Sequence, residues 1–378
     1  NRDHDDPLRP RLIPAPADLQ AIGWRAGIDP RWQAAMAAHP SAVPARVVEQ
    51  HRSGYVVATG PGDGVAVESL PEWQRPAGYR KGTVSPEERP AVGDWVLVEG
   101  GKRIVALLPR RGAIKRGAAG EHYRQQLIAA NVDAVFVVCG LDGDFNPRRI
   151  ERYLLLVHGS GAQPVVVLTK ADKPGADAAA ARAALADVEA QGVPVLAVNA
   201  KDATAVESLS PWLRPGDTAV LVGSSGAGKS TLTNTLLGID RMKTAEVREH
   251  DARGRHTTTH RALIPLPSGA CLIDTPGMRE LKPTGEEELA DGGFADIEAL
   301  AGQCRFRDCA HEKEPGCAVR AAIERGELDE GRFRNYLKLR DEIAAASDRL
   351  ASRLADKQGV KVLTRALHKR LDDKYGKH

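Results

Sequence analysis

The run Gly223-Ser224-Ser225-Gly226-Ala227-Gly228-Lys229-Ser230-Thr231 has the residue types and spacing to hold a polyphosphate. It follows the apolar stretch Thr218–Val222 and opens a helix-prone one at Lys229. Its glycines let the backbone wrap so that N–H groups face phosphate oxygens. The helix N-terminus adds partial positive charge. Lys229 is expected to reach the β- and γ-phosphates and Ser230 to ligate Mg²⁺. Asp274 closes another apolar stretch, Cys271–Ile273, and is expected to hold Mg²⁺ through water. In Asp274-Thr275-Pro276-Gly277, the Gly277 amide is expected to sense the γ-phosphate. Between these motifs Arg253–His260 is polar, basic and aperiodic, and reads as a switch. One of Thr257, Thr258 and Thr259 completes the Mg²⁺ shell when the γ-phosphate is present; Thr258 is the choice. The same threonines would also suit entry into a strand at Arg261–Leu266.

A base-reading motif comes earlier in the chain. Thr169-Lys170-Ala171-Asp172 follows the apolar stretch Val165–Leu168. A carboxylate at Asp172 can accept two hydrogen bonds from N1 and N2 of guanine. Adenine cannot supply them, and an unpaired carboxylate is costly. The aliphatic stem of Lys170 can cover the base. Asn199-Ala200-Lys201, after the next apolar stretch, fits a loop that contacts the guanine carbonyl.

A second chemical cluster lies near the C-terminus. Cys304, Cys309, His311 and Cys317 offer three thiolates and one imidazole within 14 residues, a full tetrahedral set for structural Zn²⁺. Apolar residues nearby are sparse, so a metal would hold the segment together. Buried free thiols, or a disulfide with one thiol left over, are the alternatives, the latter disfavoured in a reducing compartment. Cys139 and Cys271 lie in apolar stretches and read as buried thiols.

The elements that must position these groups follow from the patterning. Residues 1–40, rich in Pro, Ala and Trp, read as a partly ordered arm. Residues 41–115 hold five short strand-like runs: Arg46–Val48, Tyr55–Ala58, Val65–Val67, Asp94–Val98 and Ile104–Leu108. They predict a small barrel, an OB-fold first and an SH3-like barrel as the alternative. Residues 122–285 alternate six strands (Val132–Cys139, Val165–Thr169, Val193–Val198, Ala219–Gly223, Ala262–Leu266, Cys271–Asp274) with helices at Pro147–His158, Ala178–Ala190, Ala205–Leu213 and Lys229–Leu237. That alternation predicts a mainly parallel, doubly wound α/β sheet. Residues 286–355 read as a helical zinc-binding domain, with Phe333, Leu337, Arg340, Ile343, Ser347, Leu350 and Leu354 recurring along one helix. Residues 356–378 read as a basic tail.

With 378 residues, 42% apolar and 27% charged, the chain suits a soluble protein of two or three domains. No apolar run approaches the ~20 residues of a membrane span. The first residues carry no secretory pattern, so the cytoplasm is the expected location. Net charge is only +3, but Gly101–Arg124 and Lys357–His378 each carry seven Lys or Arg against one and two acids. Two such blocks suit a polyanion partner or two solvated surfaces. Arg110, Arg111, Lys115 and Arg116 are the candidate phosphate-backbone contacts.

Guanine motifs ahead of the phosphate loop resemble those of circularly permuted GTPases. Gly254-Arg255-His256-Thr257-Thr258-Thr259, an N-terminal barrel and the C-terminal Cys/His cluster narrow the resemblance to the ribosome small-subunit-dependent GTPase A family. It spans roughly residues 40 to 340. It implies an OB domain, a permuted GTPase domain and a zinc domain. It further implies a monomeric late assembly factor whose slow GTP hydrolysis is stimulated by the small ribosomal subunit and its rRNA. Thr169 stands where most GTPases place an Asn that ties this loop to the phosphate loop, so weaker nucleotide binding is expected. Met278 stands where Ras-like enzymes carry a water-orienting Gln; His256 is a candidate for that role, or for RNA contact. The chain runs from Gly277 directly into the zinc domain, which suggests a clamp that hydrolysis loosens. A regulatory GTPase switching a non-ribosomal protein, and a metal-stabilised nucleic-acid-binding module with vestigial hydrolysis, are the competing classes.

Overall fold

Short runs rich in Val and Ala build the N-terminal strands. The computed structural model describes residues 16–25, 29–51, 54–74, 88–117, 125–238, 261–274 and 283–375. Strands β1 (Ala42–Gln50), β2 (Tyr55–Ala58), β3 (Val65–Val67), β4 (Trp95–Glu99) and β5 (Arg103–Leu107) follow the expected runs. The first half of β1 pairs with β4 and the second with β2, all antiparallel. A register shift between Val47 and Glu49 bends β1 within the β2 half. β2 pairs with β3 and β4 with β5. A parallel bridge between Glu68 and Arg103 closes the ring, with Glu68 N donating to Lys102 O at 2.7 Å and Ile104 N to Glu68 O at 3.0 Å. The circuit β1-β2-β3-β5-β4 is that of an OB barrel, not an SH3-like one. Val47, Val57, Val96, Val98 and Ile104 fill it.

Strands β6 (Ala113–Gly117) and β7 (Gln125–Ala130) form a separate two-stranded sheet that the patterning did not announce. Then come β8 (Ala134–Gly140), β9 (Gln163–Thr169), β10 (Val195–Ala197), β11 (Thr218–Val222), β12 (Ala262–Pro265) and β13 (Cys271–Asp274). They lie in the order β10-β9-β8-β11-β13-β12, all parallel except β12. The helix expected over Ala178–Ala190 breaks at Leu185 into Ala178–Ala184 and Ala186–Ala190.

The barrel and this sheet lie in one compact unit. Arg46 shows how. It is fully buried on β1, stacks on Trp95 at 5.3 Å, and donates to the carbonyls of Ile22 and Gly93 and to Thr218 Oγ1 (2.9 Å) at the start of β11. The arm joins the same core. Trp24 and Trp32 pack on each other and on Trp95 with ring centroids 4.8–6.3 Å apart, and Arg25 pairs with Asp133 and Asp217.

A second unit holds the helices Ala295–Ala301, Ala318–Glu324 and Glu330–Tyr375. The last runs unbroken past residue 355. Its buried face carries Phe333, Tyr336, Leu339 and Ala346; Leu337 is only half-buried, and Arg340 and Ser347 are exposed. The expected apolar stripe is thus rotated, because Tyr336 and Leu339 turn inward beside a half-buried Leu337. Arg332, 2% exposed, stacks on Phe294 and bonds Asp296 and the Gly293 carbonyl. Burial opposes the Asp296 charge, and the guanidinium outweighs it, holding the carboxyl below its ordinary value. Among the described residues no helix is long and apolar enough to cross a membrane.

Candidate nucleotide site and metal centre

Parallel strands bring their C-terminal ends to one edge of a sheet, where α/β folds bind ligands. The fully buried strand β11 delivers Gly223 there, and the phosphate loop ends in the helix Lys229–Leu237. Gly223 has φ 146°, and a Cβ on it would lie 2.2 Å from the Val138 carbonyl, so the loop leaves the sheet pressed against β8. Lys229 Nζ donates back to the carbonyls of Gly223, at 2.7 Å, and Ser224. Ser230 and Thr231 lie half-buried in the helix's first turn, while Ser225 and Gly226 are exposed. Asp274 ends β13 one residue past the Val220–Ile273 pair, beside the loop's origin. His256, Thr258 and Gly277, with the rest of both switches, lie outside the described residues.

Both base-reading loops hang on the phosphate-loop segment. Thr169 is fully buried at the end of β9, and its hydroxyl donates to the Ala227 carbonyl at 2.5 Å. The tie expected to be missing without Asn is therefore made by a threonine. Gly228 lets it come close: its φ is 94°, and a Cβ there would lie 3.1 Å from Thr169 Oγ1. Lys170 follows in the left-handed region, Ala171 N donates to the Val198 carbonyl, and Asp172 is exposed. In the second loop Asn199 Oδ1 accepts from Lys201 N at 3.0 Å, and the Ala200 carbonyl accepts from Thr235 Oγ1, on the same helix, at 2.6 Å.

The sequence reading missed a third loop at this edge, between β8 and the helix Pro147–His158. Asp142 accepts from Lys170 Nζ, and the shared contact holds Asp142 below its ordinary carboxylate value. Asp144 accepts from the Ser224 hydroxyl and from Arg149. One loop thus touches both the base-side lysine and the phosphate loop. The available signal was position alone: these acids follow a strand that ends at the ligand-binding edge.

The basic residues expected to meet phosphate are mostly engaged internally. Asp94 is fully buried and needs a cation; Arg110 supplies it through bonds of 2.7–3.1 Å. Arg111 pairs with Asp133 at 3.0 Å, and Arg116 donates to Gln126 Oε1. Lys115 is half-buried on β6.

In the second unit the four metal-ligating atoms of Cys304, Cys309, His311 and Cys317 lie within 4.8 Å of one another. His311 Nδ1 is 3.5 Å from Cys304 Sγ and 3.4 Å from Cys317 Sγ, and the two sulfurs are 3.9 Å apart. A tetrahedral Zn²⁺ with its usual bond lengths places such atoms about 3.5 and 3.8 Å apart, so the residues fit that ion. Burial, and then Arg340, hold the His311 imidazole below its ordinary value, favouring the neutral, ligating form. Its ring stands edge-on to Phe333, 5.8 Å between centroids.

Comparison with known proteins agrees with this geometry. A family model described as RsgA GTPase matches residues 107–284. The small ribosomal subunit biogenesis GTPase RsgA of Xanthomonas axonopodis pv. citri (strain 306) is 70% identical over 340 residues, which is 89% of this chain and 92% of that protein. The protein of the same name from Xanthomonas euvesicatoria pv. vesicatoria (strain 85-10) matches to the same extent. The crystal structure of YjeQ from Thermotoga maritima aligns with TM-score 0.53 and 26% identity, over 80% of this chain and 98% of that one. YloQ, a circularly permuted GTPase, shares the fold at TM-score 0.53 and 24% identity, over 82% and 97%.

Proposed function

The chain belongs to the RsgA GTPase family, and from that premise we propose that it hydrolyses GTP as a late factor in small ribosomal subunit biogenesis. It binds the subunit through rRNA, acts in the cytoplasm as a monomer, and is released when GTP is spent. The observation that carries this reading is the nucleotide site, whose two base loops are tied by Thr169 and Thr235 to the phosphate-loop segment.

In this reading Asp172 reads guanine, with Lys170 over the base and Asn199-Ala200-Lys201 at its carbonyl. The backbone N–H groups of Gly223–Gly228 and the Lys229 ammonium hold the phosphates. Ser230, Asp274 and Thr258 hold Mg²⁺, which neutralises charge on the β- and γ-phosphates when bound. The Gly277 amide senses the γ-phosphate, and His256 orients the attacking water in place of the missing Gln. His256→Ala then abolishes subunit-stimulated hydrolysis while sparing GTP binding; unchanged stimulation overturns that role. One Zn²⁺ on the Cys₃His cluster holds the second unit together. Arg111, Lys115 and Arg116 contribute phosphate contacts, and Arg110 does not.

The test is GTP hydrolysis with and without purified small subunits at two salt concentrations. Strong stimulation that fades with salt is the expected result. GTP binding without stimulation overturns the ribosomal reading. Equal subunit affinity with GDP and with a non-hydrolysable GTP analogue overturns the release mechanism.

A further inference from the structure

Between the first two cysteines of the metal cluster the chain runs Arg305-Phe306-Arg307-Asp308. Phe306 is 42% exposed, and Val65 is the only other large hydrophobic side chain so exposed among the described residues. The Arg305 guanidinium lies over the Phe306 ring, 5.5 Å from its centroid. Among the described residues neither Arg305 nor Arg307 has an ion-pair partner. The loop is fixed: Cys304 and Cys309 bound it within the cluster, and Arg305 N donates to the Gly316 carbonyl at 3.1 Å. Of the three acids between Cys304 and Cys317, Glu314 is turned onto the backbone N–H groups of Ala310, Glu312 and Lys313, and among the described residues neither Asp308 nor Glu312 forms an ion pair with Arg305 or Arg307.

The turn itself does not need an aromatic ring, because the cysteines make it. A ring left in water, with a cation on one face and another cation beside it, matches what an unstacked nucleobase and its phosphates offer. An apolar protein pocket would instead have to bury two unpaired guanidiniums, which is costly. We propose that the Arg305-Phe306-Arg307 tip is a stacking site for a base of unpaired RNA, with the guanidiniums on the flanking phosphates. It rests on the reading that the chain works on ribosomal RNA.

The experiment uses the full-length, zinc-loaded protein and a fluorescent mixed-sequence RNA dodecamer, single-stranded or annealed to its complement. Wild type is expected to prefer the unpaired form. Phe306→Ala and Phe306→Leu should weaken that binding about tenfold and erase the preference, while Phe306→Trp keeps it. Arg307→Gln should lower the salt slope by about one. Zinc content and basal GTP hydrolysis should not change. Equal binding by wild type and Phe306→Leu overturns the proposal. A photo-crosslinking amino acid at position 306 should mark RNA in purified small subunits; a crosslink to protein alone also overturns it. Absence of subunit-stimulated hydrolysis in wild type would overturn the ribosomal reading separately, since the dodecamer assay does not depend on it.

Discussion

The two units keep their functional residues in place by different means. In the first, the nucleotide residues sit on the ends of strands β8, β9, β11 and β13, in a sheet whose core is closed by Phe136, Val165, Ala219, Leu221 and Leu272. Neutral hydroxyl-to-carbonyl bonds then link one loop to the next. In the second, one small cluster supplies four ligands, and a single buried arginine links two helices. A large apolar sheet can position a site with weak bonds, because burial has already fixed the backbone. A small helical unit needs strong, localised bonds to reach the same order.

Breaking the metal cluster should have the largest effect. Chelation, or Cys317→Ser, removes about 10 kcal/mol or more of metal-linked stability. Amide exchange should become fast across residues 295–345, while GDP affinity stays within about twofold. A parallel loss of GDP affinity would erase the contrast between the units. Within the first unit the strongest break is Lys229→Ala. In the proposed reading Lys229 makes charge-assisted bonds to two phosphates, so GTP affinity should fall more than about a hundredfold. A loss under tenfold would mean that the backbone loop alone carries the phosphates.

Much of this was legible in the sequence. The six strands of the nucleotide sheet and the helix Lys229–Leu237 fall where strand and helix periodicity place them, because buried parallel strands are continuous apolar runs. The five barrel strands were legible too, but barrel type was not: it depends on the parallel bridge at Glu68 and Arg103, a contact between distant residues. Asp142 and Asp144 were missed because a short acidic loop looks like any turn until the sheet brings it to the ligand edge. The roles of Arg46 and Arg110 were hidden for the same reason. An arginine in sequence reads as surface charge, and only the fold reveals the carbonyls or the buried Asp94 that capture it.

The two buried arginines sharpen the comparison. Arg46→Met leaves the acceptors at Ile22, Gly93 and Thr218 unpaired in a dry interior, and should cost about 3–5 kcal/mol. Arg332→Met strands Asp296, which keeps 47% of its side-chain exposure, so about 2 kcal/mol is expected. Urea unfolding of each variant orders the two; the reverse order would mean that the half-exposed Arg332–Asp296 pair outweighs the three acceptors that Arg46 satisfies. Smaller still is the loop tie. Thr169→Val should weaken GTP and GDP equally, by about fivefold, and Thr169→Asn should restore most of the loss. An unequal effect on GTP and GDP would mean that Thr169 acts on the phosphates rather than on the base loop.

The smallest expected effect is a pH dependence that separates the units. In the first, burial pushes the Tyr55 phenol up to about 12. In the second, burial and then the 2.6 Å hydrogen bond to Glu298 push Tyr336 well above its ordinary value. A phenol whose folded pKa is raised contributes stability that is fully present below about pH 10, its unfolded value, and is lost as the pH climbs toward the folded one. The second unit should therefore soften progressively as the pH rises above about 10. Tyr336→Phe should lower its stability at neutral pH by about 1 kcal/mol and flatten its alkaline slope, leaving unchanged the slope of the first unit, where burial raises Tyr55, Tyr153, Cys139 and Cys271. Amide exchange read separately over residues 295–345 and over β8–β11 distinguishes the two. If Tyr336→Phe leaves the alkaline slope of the second unit intact, the Tyr336–Glu298 bond contributes nothing there, and other groups carry that slope.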